Sequence, residues 1–285
     1  MENKVLPGKV YCEQDLDASE TGEVANGTAA VYTAKSPQRE SANQDAAALL
    51  PFGENSGVLV IADGVGGLPA GSAASGVAVR SIEKSLGEAA REGNDLRDAI
   101  INGIEKANEE LTERGSGAAT TLAAVEIQDN MVRPYHVGDS QILLIGQRGK
   151  IKLLTKSHSP VGYAVEAGVL DEEQALHHEQ RHVISNAVGT SEMYIEIGSA
   201  LQMAPRDTLV IASDGLFDNL HTEEIIELCR KGPLAEAALK LADRCRARMI
   251  DPEEGEPSKP DDLSFILYRR KPGRRRRREA VTLPE

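Results

Sequence analysis

Tryptophan is absent from this chain, and phenylalanine and tyrosine number only three and six. Aromatic platforms on which single-stranded nucleic acid stacks are therefore scarce. Cysteine is almost as rare. Cys12, Cys229 and Cys245 form an odd set without CxxC spacing, which argues against a disulfide framework or a zinc site and for reduced thiols. No run of about eighteen apolar residues is present, and the opening MENKVLPGKVYCEQD has neither a basic n-region nor an apolar h-region. The expectation is a cytoplasmic protein with no transmembrane segment. Positive charge is in deficit too: 32 Lys and Arg stand against 45 Asp and Glu, a net −13. Six of those cations lie in residues 271–285, so the rest is more acidic than the total suggests. Such a body repels nucleic-acid phosphates and attracts cations, and no nucleic-acid partner is expected.

What the chain does have is 285 residues, 40% of them hydrophobic, enough for a sizeable core. Residues 1–27 read as a polar N-terminal arm with one edge strand around Val10, 28–270 as the folded body, and 271–285 as a basic flexible tail. Short β-rich runs dominate the body: 29–34, 46–52, 57–63, 120–127, 131–137, 141–146, 151–155, 193–198, 207–213 and 263–270. Between them lie amphipathic segments, clearest where Leu96, Ile100, Ile104, Ala107 and Leu111 share one face. Further helices are expected over about 70–92, 222–231 and 233–250, with Thr222 as an N-cap and Pro233 at the start of the last. Helices that arrive in pairs between blocks of strands argue for an α+β fold of mainly antiparallel sheets with helices outside.

Two segments carry chemistry. VLVIADGVGG at 58–67 and TLVIASDGLFD at 208–218 are both apolar strands closing on Asp-Gly, and each presents a carboxylate, Asp63 or Asp214, from a rigid element. The following Gly would let the backbone turn sharply. Taken singly, each Asp-Gly is a common turn dipeptide. Three more acidic strand junctions join them: Asp45 in NQD, Asp139 in GDS, and Asp261 with Asp262 before the last strand. Five such junctions without matching His or Cys clusters suit a hard divalent cation with oxygen ligands, magnesium or manganese more than zinc.

The ordered series NQD, ADGVGG, GAATTL, HVGDSQ, SDGLFD and KPDDLS resembles the motifs of the protein phosphatase 2C family, bacterial type, and spans about 28–270. The resemblance implies a four-layer α-β-β-α sandwich and a metal-dependent phosphatase acting on phosphoserine and phosphothreonine in protein substrates. It implies that Asp63 bridges two cations, Mn2+ or Mg2+, that the Gly64 carbonyl ligates one of them, and that Asp214 and Asp261 complete the other. Asp45 and Gln44 would contact metal-bound waters, Asp139 and Asp218 match positions of a possible third cation, and Asp262 stands as a supporting residue where the family often has Asn. Hydrolysis would follow attack by a hydroxide bridging the two cations, with no phospho-enzyme.

The chain departs from that pattern at two positions. Val65 stands where animal members carry a His proposed to protonate the leaving group. Glu40 stands where the family places a phosphate-binding Arg, leaving Arg39, one residue earlier, as the candidate if a one-residue bulge restores its position. His158 begins a segment like the mobile flap of bacterial members; His177, His178 and His182 read as surface or flap residues and His136 as a structural histidine. Arg274 to Arg278 read as a solvated tail or, more sharply, as a handle for an acidic partner. The alternatives are a phosphatase dedicated to one signalling regulator, of the anti-sigma-antagonist type, and a non-catalytic module that binds phosphoproteins.

Overall fold

Successive residues along the central strands enter different cores. Ala46, Ala48 and Leu50 pack into one buried cluster, while Ala47 and Leu49 between them pack into another. Strands with period-two side chains and both faces buried require three layers of core, hence helices outside two stacked sheets. The structure, a computed structural model, describes residues 8–65 and 70–271. Gly66 and Gly67 of the ADGVGG motif and the run Arg274 to Arg278 lie outside the described residues.

The chain passes through β1 (Lys9–Cys12), β2 (Glu20–Val24), β3 (Gly27–Ala34), β4 (Asp45–Pro51) and β5 (Ser56–Val65), then the helix pair α1 (Ala70–Glu92) and α2 (Leu96–Glu113). Next come β6 (Ala119–Thr120), β7 (Leu122–Gln128), β8 (Met131–Val137), β9 (Gln141–Ile145) and β10 (Ile151–Leu154). Short helices α3 (Pro160–Glu166) and α4 (Glu172–Leu176) precede β11 (Glu196–Ile197), β12 (Leu201–Gln202) and β13 (Thr208–Ala212). Helices α5 (Asp214–Phe217), α6 (Thr222–Cys229) and α7 (Leu234–Ile250) lead to β14 (Leu263–Arg270).

One sheet runs β1-β4-β5-β7-β8-β11, with β12 also on β8 and β6 on the end of β5; the other runs β10-β9-β13-β14-β3-β2. Every pairing is antiparallel. Helices α1 and α2 cover the first sheet, α5 to α7 cover the second, and Leu59, Ile61, Leu209 and Ile211 belong to the core between them. This is the expected four-layer α-β-β-α sandwich. Small residues set its spacing: Ala74 and Ala78 of α1 meet Ala46 and Ala48 of β4 in one cluster.

Several expectations need correction. The segment read as an arm has the edge strand expected around Val10, β1 on β4, and adds a second one, since β2 pairs β3 in the other sheet. Among its described residues the deeply buried apolar anchors are Tyr11, Val24 and Ala25, too few to stand out in a polar sequence. The run at 193–198 shortens to β11 because the Asn186 side chain captures the Tyr194 backbone, donating to its O at 2.8 Å and accepting from its N at 3.2 Å. Thr222 is the first residue of α6, not its cap; Glu224 reaches back to accept the His221 N–H at 3.1 Å. No helix of the described residues is long and apolar enough to cross a membrane.

Candidate active site

Strands β4 and β5 place Asp45 directly opposite Asp63 in an antiparallel register. Asp63 is not at the strand end: β5 continues through Gly64 and Val65, which pair with Thr120 and Ala119. The Asp63 backbone is locked on both sides, its O accepting from Thr121 N and from Thr120 Oγ1, each at 2.8 Å, and its N donating to Thr121 Oγ1 at 3.2 Å. Gly64 serves close approach instead of a turn. A Cβ there would lie 2.2 Å from the Gly71 carbonyl oxygen of α1, and its φ is not positive.

Asp214 comes from the other sheet, as the first residue of α5 immediately after β13. Gly215 follows the same logic as Gly64: a Cβ would meet the Asp262 carbonyl oxygen at 2.0 Å. Asp261 ends the loop that enters β14, and its Oδ1 accepts the Asp262 N–H at 2.9 Å. Asp139 sits in the turn between β8 and β9. Asp63, Asp139, Asp214 and Asp261 line one open cleft of about 720 Å³ with Gln44, Gly64 and Arg39. A second cleft, of about 570 Å³, runs from Asp139, Asp214 and Asp218 beneath α3, where Val161, Val165 and Phe217 give it an apolar wall.

Asp45 is 1% exposed; its Oδ2 accepts from Ser213 Oγ at 2.9 Å, a tie between the sheets. Asp262 accepts two backbone N–H groups, from Ser36 at 2.7 Å and Gln44 at 2.8 Å, and so fixes the loop that carries Gln44 and Asp45. Arg39 reaches the cluster from the irregular segment between β3 and β4, not from a bulged strand as expected. Its guanidinium lies 3.2 Å from Asp261 Oδ1 and donates to Gln44 Oε1 at 3.3 Å. His158 is buried, with its Nδ1 accepting from Gly138 N at 3.2 Å and Asn186 Nδ2 at 3.0 Å. It stands at the root of the flap, not on its face.

The crowded carboxylates interact strongly. Burial, then the charges of Asp45, Asp214, Asp261 and Asp139, push Asp63 well above the carboxylate range, and burial followed by Asp262 does the same to Asp45. Asp139 is pushed up to about 8 by burial and by Asp214 and Asp218, and Asp218 to about 6. Asp261 is also raised, by burial and Asp214. Asp214 is the exception: burial would raise it, but the Lys259 ammonium beside it holds it below its ordinary value. Lys259 Nζ bonds Asp214 Oδ2 and lies 3.0 Å from Asp218 Oδ2 and 3.5 Å from Asp261 Oδ2. It is the site residue the sequence least betrays, since a lysine before Pro-Asp-Asp reads as a solvated charge.

The donor set fits a hard divalent cation. Buried Asp45 Oδ1, Asp139 Oδ1 and Asp214 Oδ1 find no hydrogen-bond partner among the described residues, and buried carboxylate oxygens left unpaired are costly unless a cation takes them. All the donors are oxygens from Asp side chains and the Gly64 backbone, with no sulfur among them, as magnesium and manganese prefer. The buried set His136, His158 and exposed Glu196 has ligand-like spacing, but His136 Nε2 bonds Lys156 O at 2.8 Å and His158 Nε2 bonds Glu196 at 3.0 Å, so it is already satisfied.

The family model described as protein phosphatase 2C matches residues 34–248. Protein phosphatase PhpP of Streptococcus pneumoniae is 31% identical over 188 residues, 63% of this chain and 75% of its own. The solved serine/threonine phosphatase of S. agalactiae has a TM-score of 0.71 at 28% identity, covering 85% of this chain and 99% of that one. The catalytic domain of the serine threonine protein phosphatase PstP, solved in complex with two manganese ions, shares the fold with a TM-score of 0.65 at 23% identity over 85% and 96% of the two chains.

Proposed function

Since the chain belongs to the protein phosphatase 2C family, and is thereby a phosphoprotein phosphatase, we propose that it hydrolyses phosphoserine and phosphothreonine in protein substrates using two divalent cations, manganese or magnesium. The convergence of Asp63, Asp139, Asp214 and Asp261 from two sheets on one cleft, with Asp45 buried directly opposite Asp63 and carboxylate oxygens left unpaired, carries this reading. Asp63 and the Gly64 carbonyl would hold one cation, and Asp63, Asp214 and Asp261 the other. Asp139 and Asp218 would hold a third. Bound there, divalent cations would lower the pKa of water to make it a nucleophile and draw charge from the phosphoryl oxygens.

The chain's own residues do the rest. Asp262 and Ser213 hold Asp45 and its neighbours in place, and the Thr120 and Thr121 bonds fix the Asp63 backbone from which its carboxylate projects. Arg39, at the cleft rim and 41% exposed, has the donors and the freedom to exchange Asp261 for a phosphate oxygen. Val65 offers no proton, so protonation of the leaving alkoxide falls to water or to another group of the cleft. The apolar-walled cleft under α3 has room for the peptide that flanks the phosphoresidue.

Hydrolysis of p-nitrophenyl phosphate decides the matter. Activity is expected with manganese, and a loss of at least about a hundredfold in chelator, in Asp63→Asn and in Asp214→Asn. Robust turnover in chelator, or full activity in both variants, would sink the reading.

A further inference from the structure

Lys259 is a cation inside a cluster built for cations, and nothing in the reaction above uses it. Its backbone is gripped by one buried side chain: Asn219 Oδ1 accepts the Lys259 N–H at 2.7 Å, and Asn219 Nδ2 donates to Lys259 O at 2.9 Å. The same Nδ2 also donates to Gly215 O at 2.9 Å, tying Lys259 to the segment that carries Asp214. Pro260 then restricts the next backbone dihedral. The side chain is directed inward and is only 18% exposed, with Nζ among Asp214, Asp218 and Asp261. A surface lysine paired with a passing carboxylate has none of this construction.

We propose that Lys259 is a tethered counter-ion that neutralises the carboxylate cluster in the metal-free protein and competes with the divalent cation for Asp214 and Asp261. The inference deepens the metal-centre reading and rests on it. An ammonium and a divalent cation cannot share the space bounded by the same carboxylate oxygens. Binding of the metal therefore includes displacement of Nζ, and the metal-free site keeps its order because one charge is always present. The affinity of the site is set partly by a side chain that is not a ligand.

Calorimetric titration of the metal-free protein with manganese chloride tests this against Lys259→Met. The variant is expected to bind manganese about tenfold more tightly or better, because a unit charge within 4 Å of the ligands has been removed. Its metal-free form is expected to melt lower than the parent, and manganese to raise its Tm by more. Equal or weaker manganese binding by folded K259M overturns the proposal. No manganese binding by the parent overturns the metal-centre reading itself, which keeps the two failures distinct. Should K259M fail to fold, the parent alone decides by amine acylation read by mass spectrometry. Manganese is expected to increase modification of Lys259 several-fold relative to the chain's other lysines; unchanged or reduced modification overturns the proposal.

Discussion

Asp139 is the residue whose ionisation most directly couples site and stability. In the fold its carboxyl is pushed up from an ordinary 3.8 to about 8 by burial and by the charges of Asp214 and Asp218. Between those values the metal-free folded protein holds a proton that the unfolded chain releases. Its stabilising contribution is thus full below 3.8 and is lost as pH rises through 8. Asp139→Asn removes the coupling. In chelator, the variant is expected to lose less stability between about pH 5 and about pH 9 than the parent does, by urea denaturation. An identical pH dependence would contradict the assignment. His136 has the opposite sign: burial and then His158 push it down to about 4, so its contribution is present above 6.5 and lost as pH falls through 4.

At the scale of elements, the segment carrying α3 and α4 is a flap riveted at its root and exposed at its tip. His158 N donates to Gly138 O at 2.9 Å and Ser185 N to His158 O at 2.7 Å, and the His158 ring stacks on His136 with centroids 3.9 Å apart. At the far side Val169 is 73% exposed. Asn186→Ala would leave His158 Nδ1 without one donor and the Tyr194 backbone without its partner, a local cost of about 1–3 kcal/mol. Faster amide hydrogen exchange over 157–185 is expected, with a several-fold higher KM for a phosphopeptide and little change for p-nitrophenyl phosphate, which needs no long cleft. Equal KM effects on both substrates would place the flap's influence elsewhere. The central strands were legible in sequence because both their faces are buried, which writes them as unbroken apolar runs such as Val58 to Ala62. Edge elements were less so: β1 is expected around Val10, but β2 reads as polar, and β11 loses its length to the Asn186 amide eight residues before Tyr194, a contact that neither propensity nor period encodes. The aspartates of the site were legible as strand junctions, whereas the contacts of Lys259 and Arg39 depend on loops whose path no local pattern encodes.

At the scale of the whole molecule, the site is shared by two sheets. Asp45 and Asp63 ride on one, Asp214 and Asp261 come from the other, and at this end of the sandwich like charges face each other across the core. At the opposite end Tyr268 is buried between the sheets with its hydroxyl donated to Ala25 O at 3.0 Å. The two sheets therefore act as the arms of a pair of tweezers, closed at one end by Tyr268 and at the other by the Ser213–Asp45 bond and the Lys259 ammonium, and a cation bound among the carboxylates would add to that closure. Amide exchange in chelator is expected to quicken along β5 and β13 from the Tyr268 end toward Asp63 and Asp214, and manganese to level that slope; a slope that manganese leaves untouched would mean the arms are rigid.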